Sequence, residues 1–202
     1  WWGSADARDI RDVIYDFNDS KYLALVDFGL YLDGIEGDPV SESPEGHTYL
    51  IGGTTESPTT LNGTYVIPSS FQVQPEHELI IEAGTVLKFS PEAYLRVCVN
   101  GTLTVNGTDI SPVVLTAEDA APSPGSWSGI DFDSGSFGSL NHCEISYANT
   151  AVYMINSSPA ITNCQVYNND IGIYAYASSS PNITYSSIYS NDIGIKLYAR
   201  NG

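Results

Sequence analysis

The sequence predicts an all-β chain wound as a parallel solenoid, and three observations carry that reading. Residues 158–179 read SPAITNCQVYNNDIGIYAYASS and residues 180–201 read SPNITYSSIYSNDIGIKLYARN, so Ser-Pro, Ile-Thr, Asn-Asp-Ile-Gly-Ile and Tyr-Ala return with a period of 22 residues. A fixed period of this size marks stacked units, none of which buries its apolar face without a neighbour. Within each unit, short runs of Val, Ile and Tyr are broken by Asn, Ser, Gly and Pro, the grammar of strands and turns. No run there is long or periodic enough for a helix.

Along the chain, residues 1–40 differ from the rest. Ser4 or Asp6 caps an expected helix over residues 6–17, with Ile10, Val13, Ile14 and Phe17 at i, i+3, i+4 and i+7. Tyr22–Leu32 alternates apolar residues and reads as extended, and residues 41–62, rich in Gly, Pro, Ser and Thr, read as a linker with at most a short strand at Tyr49–Ile51. From Gly63 the strand pattern is nearly unbroken: Tyr65–Ile67, Phe71–Val73, Glu78–Ile81, Thr85–Phe89, Tyr94–Val99, Thr102–Val105, Val113–Thr116 and Trp127–Phe132.

The last coils align residue by residue. Ile130, Val152, Ile173 and Ile195 form one expected ladder, and Phe132, Met154, Ala175 and Leu197 a second two residues on. Strand side chains alternate faces, so both ladders point inward and Asp131, Tyr153, Tyr174 and Lys196 point out. Leu140, Ile161 and Ile183 line up on the next side, as do Ile145, Val166 and Ile188. Six to seven coils at about 4.8 Å each make a rod about 30 Å long.

Composition narrows the function. The 202 residues suffice for one domain with a substantial core. Seven Lys plus Arg against 24 Asp plus Glu leave a net charge of −17, which argues against a nucleic-acid partner and favours a soluble, salty or extracellular setting. No apolar run approaches the ~20 residues of a membrane span. Three cysteines cannot all pair with one another; Cys143 and Cys164 fall at one place in successive coils and stack in the interior, where buried small apolar residues are the expected reading.

The coil ITNCQVYNNDIGIY resembles the repeat of right-handed parallel β-helix proteins of the pectin-lyase-like superfamily. TYVIPSSFQVQPEHELIIEAGTVLKF, NGTLTVNGT, SPVVLTAED and PGSWSGIDF look like the first coils of its large secreted prokaryotic members. The resemblance implies a right-handed parallel β-helix outside the cell or on its surface, to which the residue spacing adds a short N-terminal α-helix. It identifies architecture better than activity.

In such proteins a segment like WWGSADARDIRDVIYDFNDSKYLALVDFGLYL follows the last coil and closes it, whereas here it comes first. The expectation is therefore a capping segment (residues 1–40), a linker (41–62) and a β-helix (63–202), with the cap completing a neighbouring unit. The partner would be a second copy, head to tail, as a tandem array or homopolymer building a filament, sheath or fibre. Trp1, Trp2, Ile10, Val13, Ile14 and Phe17 would meet Ile193, Ile195, Leu197 and Tyr198. An open β-helix end needs such a cover.

Chemistry is sparse in the sequence. Pectin-degrading relatives use clustered Asp with a neighbouring Lys or Arg; only Asp131 and Asp133 share an outward strand face, and no basic residue is expected close to them. Lys196 is three coils away, about 14 Å. A catalytic constellation is therefore not expected. His47, His77 and His142 have no metal-ligand spacing, and His142 and Cys143 face opposite ways. No cofactor is implied beyond a loosely bound calcium near Asp16, Asn18 and Asp19, which lack the EF-hand pattern.

The rival function is carbohydrate binding. Tyr153, Tyr174, Tyr176 and Tyr198 form an outward aromatic face suited to a polysaccharide, although tyrosine also suits any exposed strand. Asn18, Asn62, Asn100, Asn106, Asn156 and Asn182 stand in Asn-X-Ser/Thr sequons, candidates for N-glycosylation that are also ordinary turn chemistry.

Overall fold

The computed structural model describes residues 58–199, preceded by four two-residue strands whose backbone alone is described. It is a parallel β-helix, wound right-handed as β-crossovers almost always are. The helix and the calcium neighbourhood expected in residues 1–20 lie outside the described residues. Of the extended segment, Tyr31–Leu32 is described, pairing antiparallel with Pro39–Val40.

Three parallel sheets run the length of the coil. The first holds Thr48–Tyr49, Thr64–Ile67, Val86–Phe89, Val113–Ala117, Cys143–Ser146, Gln165–Tyr167 and Ser187–Tyr189. The second holds Gly53–Thr54, Phe71–Val73, Tyr94–Val97, Trp127–Phe132, Ala148–Ile155, Ile171–Tyr176 and Ile193–Tyr198. The third holds Thr59–Leu61, Glu78–Glu82, Thr102–Asn106, Phe137–Asn141, Ala160–Thr162 and Asn182–Thr184. Each coil visits the sheets in that order, giving six full turns and part of a seventh. The first turn uses Thr48–Tyr49, Gly53–Thr54 and Thr59–Leu61, so strand pairing begins within the stretch that reads as a linker.

The interior is apolar because strand residues alternate faces and every second one is aliphatic or aromatic. Ile130, Val152 and Ile173 stack in register and are fully buried, as are Phe132 and Met154 above Ala175. Leu140 and Ile161 stack on the third sheet, and Ile145 and Val166 on the first. Trp127 fills the centre: its ring stacks on Phe89 at 4.1 Å and its Nε1 donates to the Ser146 carbonyl at 2.8 Å.

The corners need left-handed backbone, which is why Asn recurs there. His142, Asn163 and Tyr185 turn the chain from the third sheet to the first, and Tyr147, Asn168 and Ser190 from the first to the second, all at positive φ. Asn tolerates that region better than Tyr or His. Inside the second corner the fully buried Asn169 bridges coils. Its Oδ1 accepts from Ala148 N at 2.8 Å, and its Nδ2 donates to the carbonyls of Ile145 and Tyr167 and to Asn191 Oδ1. The Asn of the recurring Asn-Asp, Asn169 on Asn191, is thus an internal polar ladder, while Asp170 and Asp192 lie outside it.

The recurring glycine has its own cause. A Cβ on Gly172 would lie 2.5 Å from the Gly194 carbonyl, so the coils approach too closely there for any side chain. At Gly129, φ is +124° and a Cβ would sit 1.7 Å from the Thr150 carbonyl, at a shift in register between neighbouring strands.

Candidate functional site

The outer face of the second sheet gathers the polar chemistry. Strand register stacks Gln72, Arg96, Asp131, Tyr153, Tyr174 and Lys196 in one outward row. Two residues further along each strand, Ile155, Tyr176 and Tyr198 form a parallel row on the same face, headed by Asp133.

Arg96 corrects the expectation that no basic residue lies near the aspartates. Its Nε donates to both Asp133 oxygens, at 2.9 and 3.2 Å, and it stands in register beside Asp131. The sequence hid this neighbour because 35 residues separate Arg96 from Asp131, against 21 or 22 between later coils. Residues 107–112 and 118–126 lengthen that turn. Matching Leu95-Arg-Val97 to Ile130-Asp-Phe132 by their inward residues would have found it.

The two aspartates differ in environment. Burial pushes the Asp131 carboxyl above its usual range, opposed by the Arg96 charge and reinforced by Asp133. Asp133 is ion-paired, and the pairing holds Arg96 firmly protonated. A guanidinium engaged in this way is not a general base. Cys98 follows the same strand, its thiol raised first by burial and then by Asp133.

The tyrosines continue the face away from the charges. Tyr153 meets Tyr174 edge-on at 5.3 Å, Tyr174 meets Tyr176 at 6.3 Å, and Tyr176 stacks on Tyr198 at 5.2 Å. Lys196 Nζ lies 4.5 Å above the Tyr174 ring, a contact worth about 0.5–1 kcal/mol at an exposed site. Burial, then neighbouring tyrosines, raise the Tyr153 phenol above its ordinary value. The face is a ribbon of rings with an acidic pair and two cations.

The remaining sequence candidates scatter. Asn62, Asn100, Asn106, Asn156 and Asn182 are all exposed, Asn100 and Asn106 on one coil and the others on separate coils, and Asn18 lies outside the described residues. His142 sits at a corner with Nδ1 3.1 Å from Asn141 Oδ1, while Cys143 points inward. Of the expected self-association residues, Ile193, Ile195, Leu197 and Tyr198 are exposed on the last described coil; Trp1, Trp2, Ile10, Val13, Ile14 and Phe17 lie outside the described residues.

Residues 53–149 match the family model described as a pectate-lyase-like beta helix domain, and residues 115–202 match that described as periplasmic copper-binding protein (NosD). The chain folds as a parallel β-helix, and over residues 53–149 it is similar to pectate-lyase-like β-helix domains. No curated protein and no solved structure matches it.

Among the described residues the donors do not fit copper. No group of three or more His, Cys, Asp and Glu is placed to hold a metal ion among the described residues. The two adjacent thiols, Cys143 and Cys164, are 3.1 Å apart, whereas two thiolates sharing a tetrahedral ion at about 2.3 Å each would stand roughly 3.7 Å apart. No helix among the described residues is long and apolar enough to cross a membrane.

Proposed function

We propose that the protein is a structural β-helix of the cell envelope or exterior that extends by joining end to end. The carrying observation is the last described coil. Ile195 and Leu197 are 48% and 73% exposed, whereas Ile173 and Ala175, one coil earlier in the same ladders, are 0% and 3% exposed. Asn182–Thr184, Ser187–Tyr189 and Ile193–Tyr198 have one strand edge without a partner among the described residues. Covering each large aliphatic there contributes about 1.5–3 kcal/mol, and the open edge supplies backbone donors and acceptors.

The occupant we assign is the residue 1–40 segment of a second copy, whose Trp1, Trp2, Ile10, Val13, Ile14 and Phe17 provide the matching apolar surface. The acidic composition and the periplasmic description of the matching family favour an envelope or extracellular setting. We read the role as non-catalytic, since Arg96, the basic residue beside the two aspartates, is ion-paired with Asp133. Sedimentation tests this. The 202-residue chain should form concentration-dependent oligomers, and Leu197→Glu or removal of residues 1–32 should leave monomers. Equal sedimentation of all three would overturn the proposal.

A second reading rests on the tyrosine ribbon: contact with a polysaccharide by ring stacking, supported by the 5.2–6.3 Å ring spacings and by Lys196 and the aspartates at its ends. Gel-shift against neutral and acidic polysaccharides should show retardation that Tyr174→Ala reduces. Removal of residues 1–32 should leave that retardation intact, which separates the two readings.

A further inference from the structure

We propose that Cys143 and Cys164 close into a disulfide that staples the fifth coil to the sixth. Glu144 pairs with Gln165 and Ile145 with Val166, so Cys143 lies directly across from Cys164 in the first sheet. Neighbouring strands stand about 4.8 Å apart, within the 4.4–6.8 Å between Cα atoms that disulfides span. The Cys143 thiol already donates to the Cys164 sulfur at 3.1 Å, so side-chain rotation closing about 1 Å reaches bonding distance. Both side chains are buried. Cys98 is on the outer face of a different sheet and contacts neither.

The partners set the order of events. The hydrogen bond from Cys143 lowers the Cys164 thiol below its ordinary value, and the same bond, with burial, raises Cys143. Cys164 therefore attacks first. Its thiolate displaces one thiolate from a disulfide-class oxidant, such as oxidised glutathione, forming a mixed disulfide. Cys143 then loses its proton to water and displaces the second thiolate. The two cysteines give up two electrons and two protons, and the oxidant becomes two thiols. Burial places this exchange late in folding, once Cys143 and Cys164 have met and before the coils finish packing over them, and afterwards shields the bond from reductant. The closed loop spans 21 residues, enough to raise Tm by about 10 °C in a chain of this size.

The test is refolding of the 202-residue chain in a glutathione redox buffer and, separately, under reductant. The oxidised product should lose about 2 Da. It should bind maleimide at one cysteine in denaturant, yield a peptide joining residues 143 and 164, and melt about 10 °C above the reduced form. Cys98→Ser should keep that difference and Cys143→Ala should abolish it. Three labelled thiols after oxidation with unchanged Tm, or a link through Cys98, would overturn the proposal.

Discussion

Asn169→Ala is the sharpest probe of how the coils are joined. The side chain is fully buried, and its carboxamide makes four contacts: one accepted from Ala148 N and three donated, to Ile145 O, Tyr167 O and Asn191 Oδ1. Each bond contributes a net ~1 kcal/mol, and an amide hydrogen left without a partner adds about 1–3 kcal/mol. Because some carbonyls keep a ladder partner, we expect a loss of about 3 kcal/mol, a fall in Tm of roughly 6–12 °C at this chain length. Differential scanning calorimetry and urea titration measure it. The exposed Asn182→Ala is the control, expected within about 0.5 kcal/mol of the parent. Equal stability of the two variants would refute the bridging role of the corner.

Three further substitutions follow from the same geometry. Trp127→Ala empties the centre of the coil and loses both the Phe89 stack and the Ser146 hydrogen bond, so denaturant titration should show a loss of about 3–5 kcal/mol. Gly129→Ala forces a side chain into left-handed backbone against the Thr150 carbonyl, and should cost about 3 kcal/mol by the same titration. Asp131 titrates above the unfolded value near 4, so the folded chain holds a proton that the unfolded chain releases. Stability therefore falls as pH rises from about 4 through the folded value and stays lower above it. Asp131→Asn should raise Tm at pH 7, leave it unchanged at pH 3, and flatten the profile between; an unchanged profile would contradict this.

What was legible in the sequence follows the period. From Ile130 onward the coils keep 21 or 22 residues, and the ladders through Val152 and Ile173 and through Leu140 and Ile161 could be read directly. Arg96 was not legible as a neighbour of Asp133 because inserted turns break the period between them. The first turn was hidden for another reason: its strands are two or three residues long, and Gly53–Thr54 carries no apolar alternation. Asn169 reads as turn chemistry, yet its burial depends on the coil above, which composition cannot reveal. For the same reason the stacking of Cys143 on Cys164 was readable, but the closeness of their sulfurs was not.

Electron microscopy of the purified 202-residue chain tests the central claim most directly, that the coil is a structural unit completed by a neighbour. Seven stacked strands at about 4.8 Å predict rods about 30 Å long per unit, joined end to end into linear chains. Discrete, unjoined particles at micromolar concentration would contradict it.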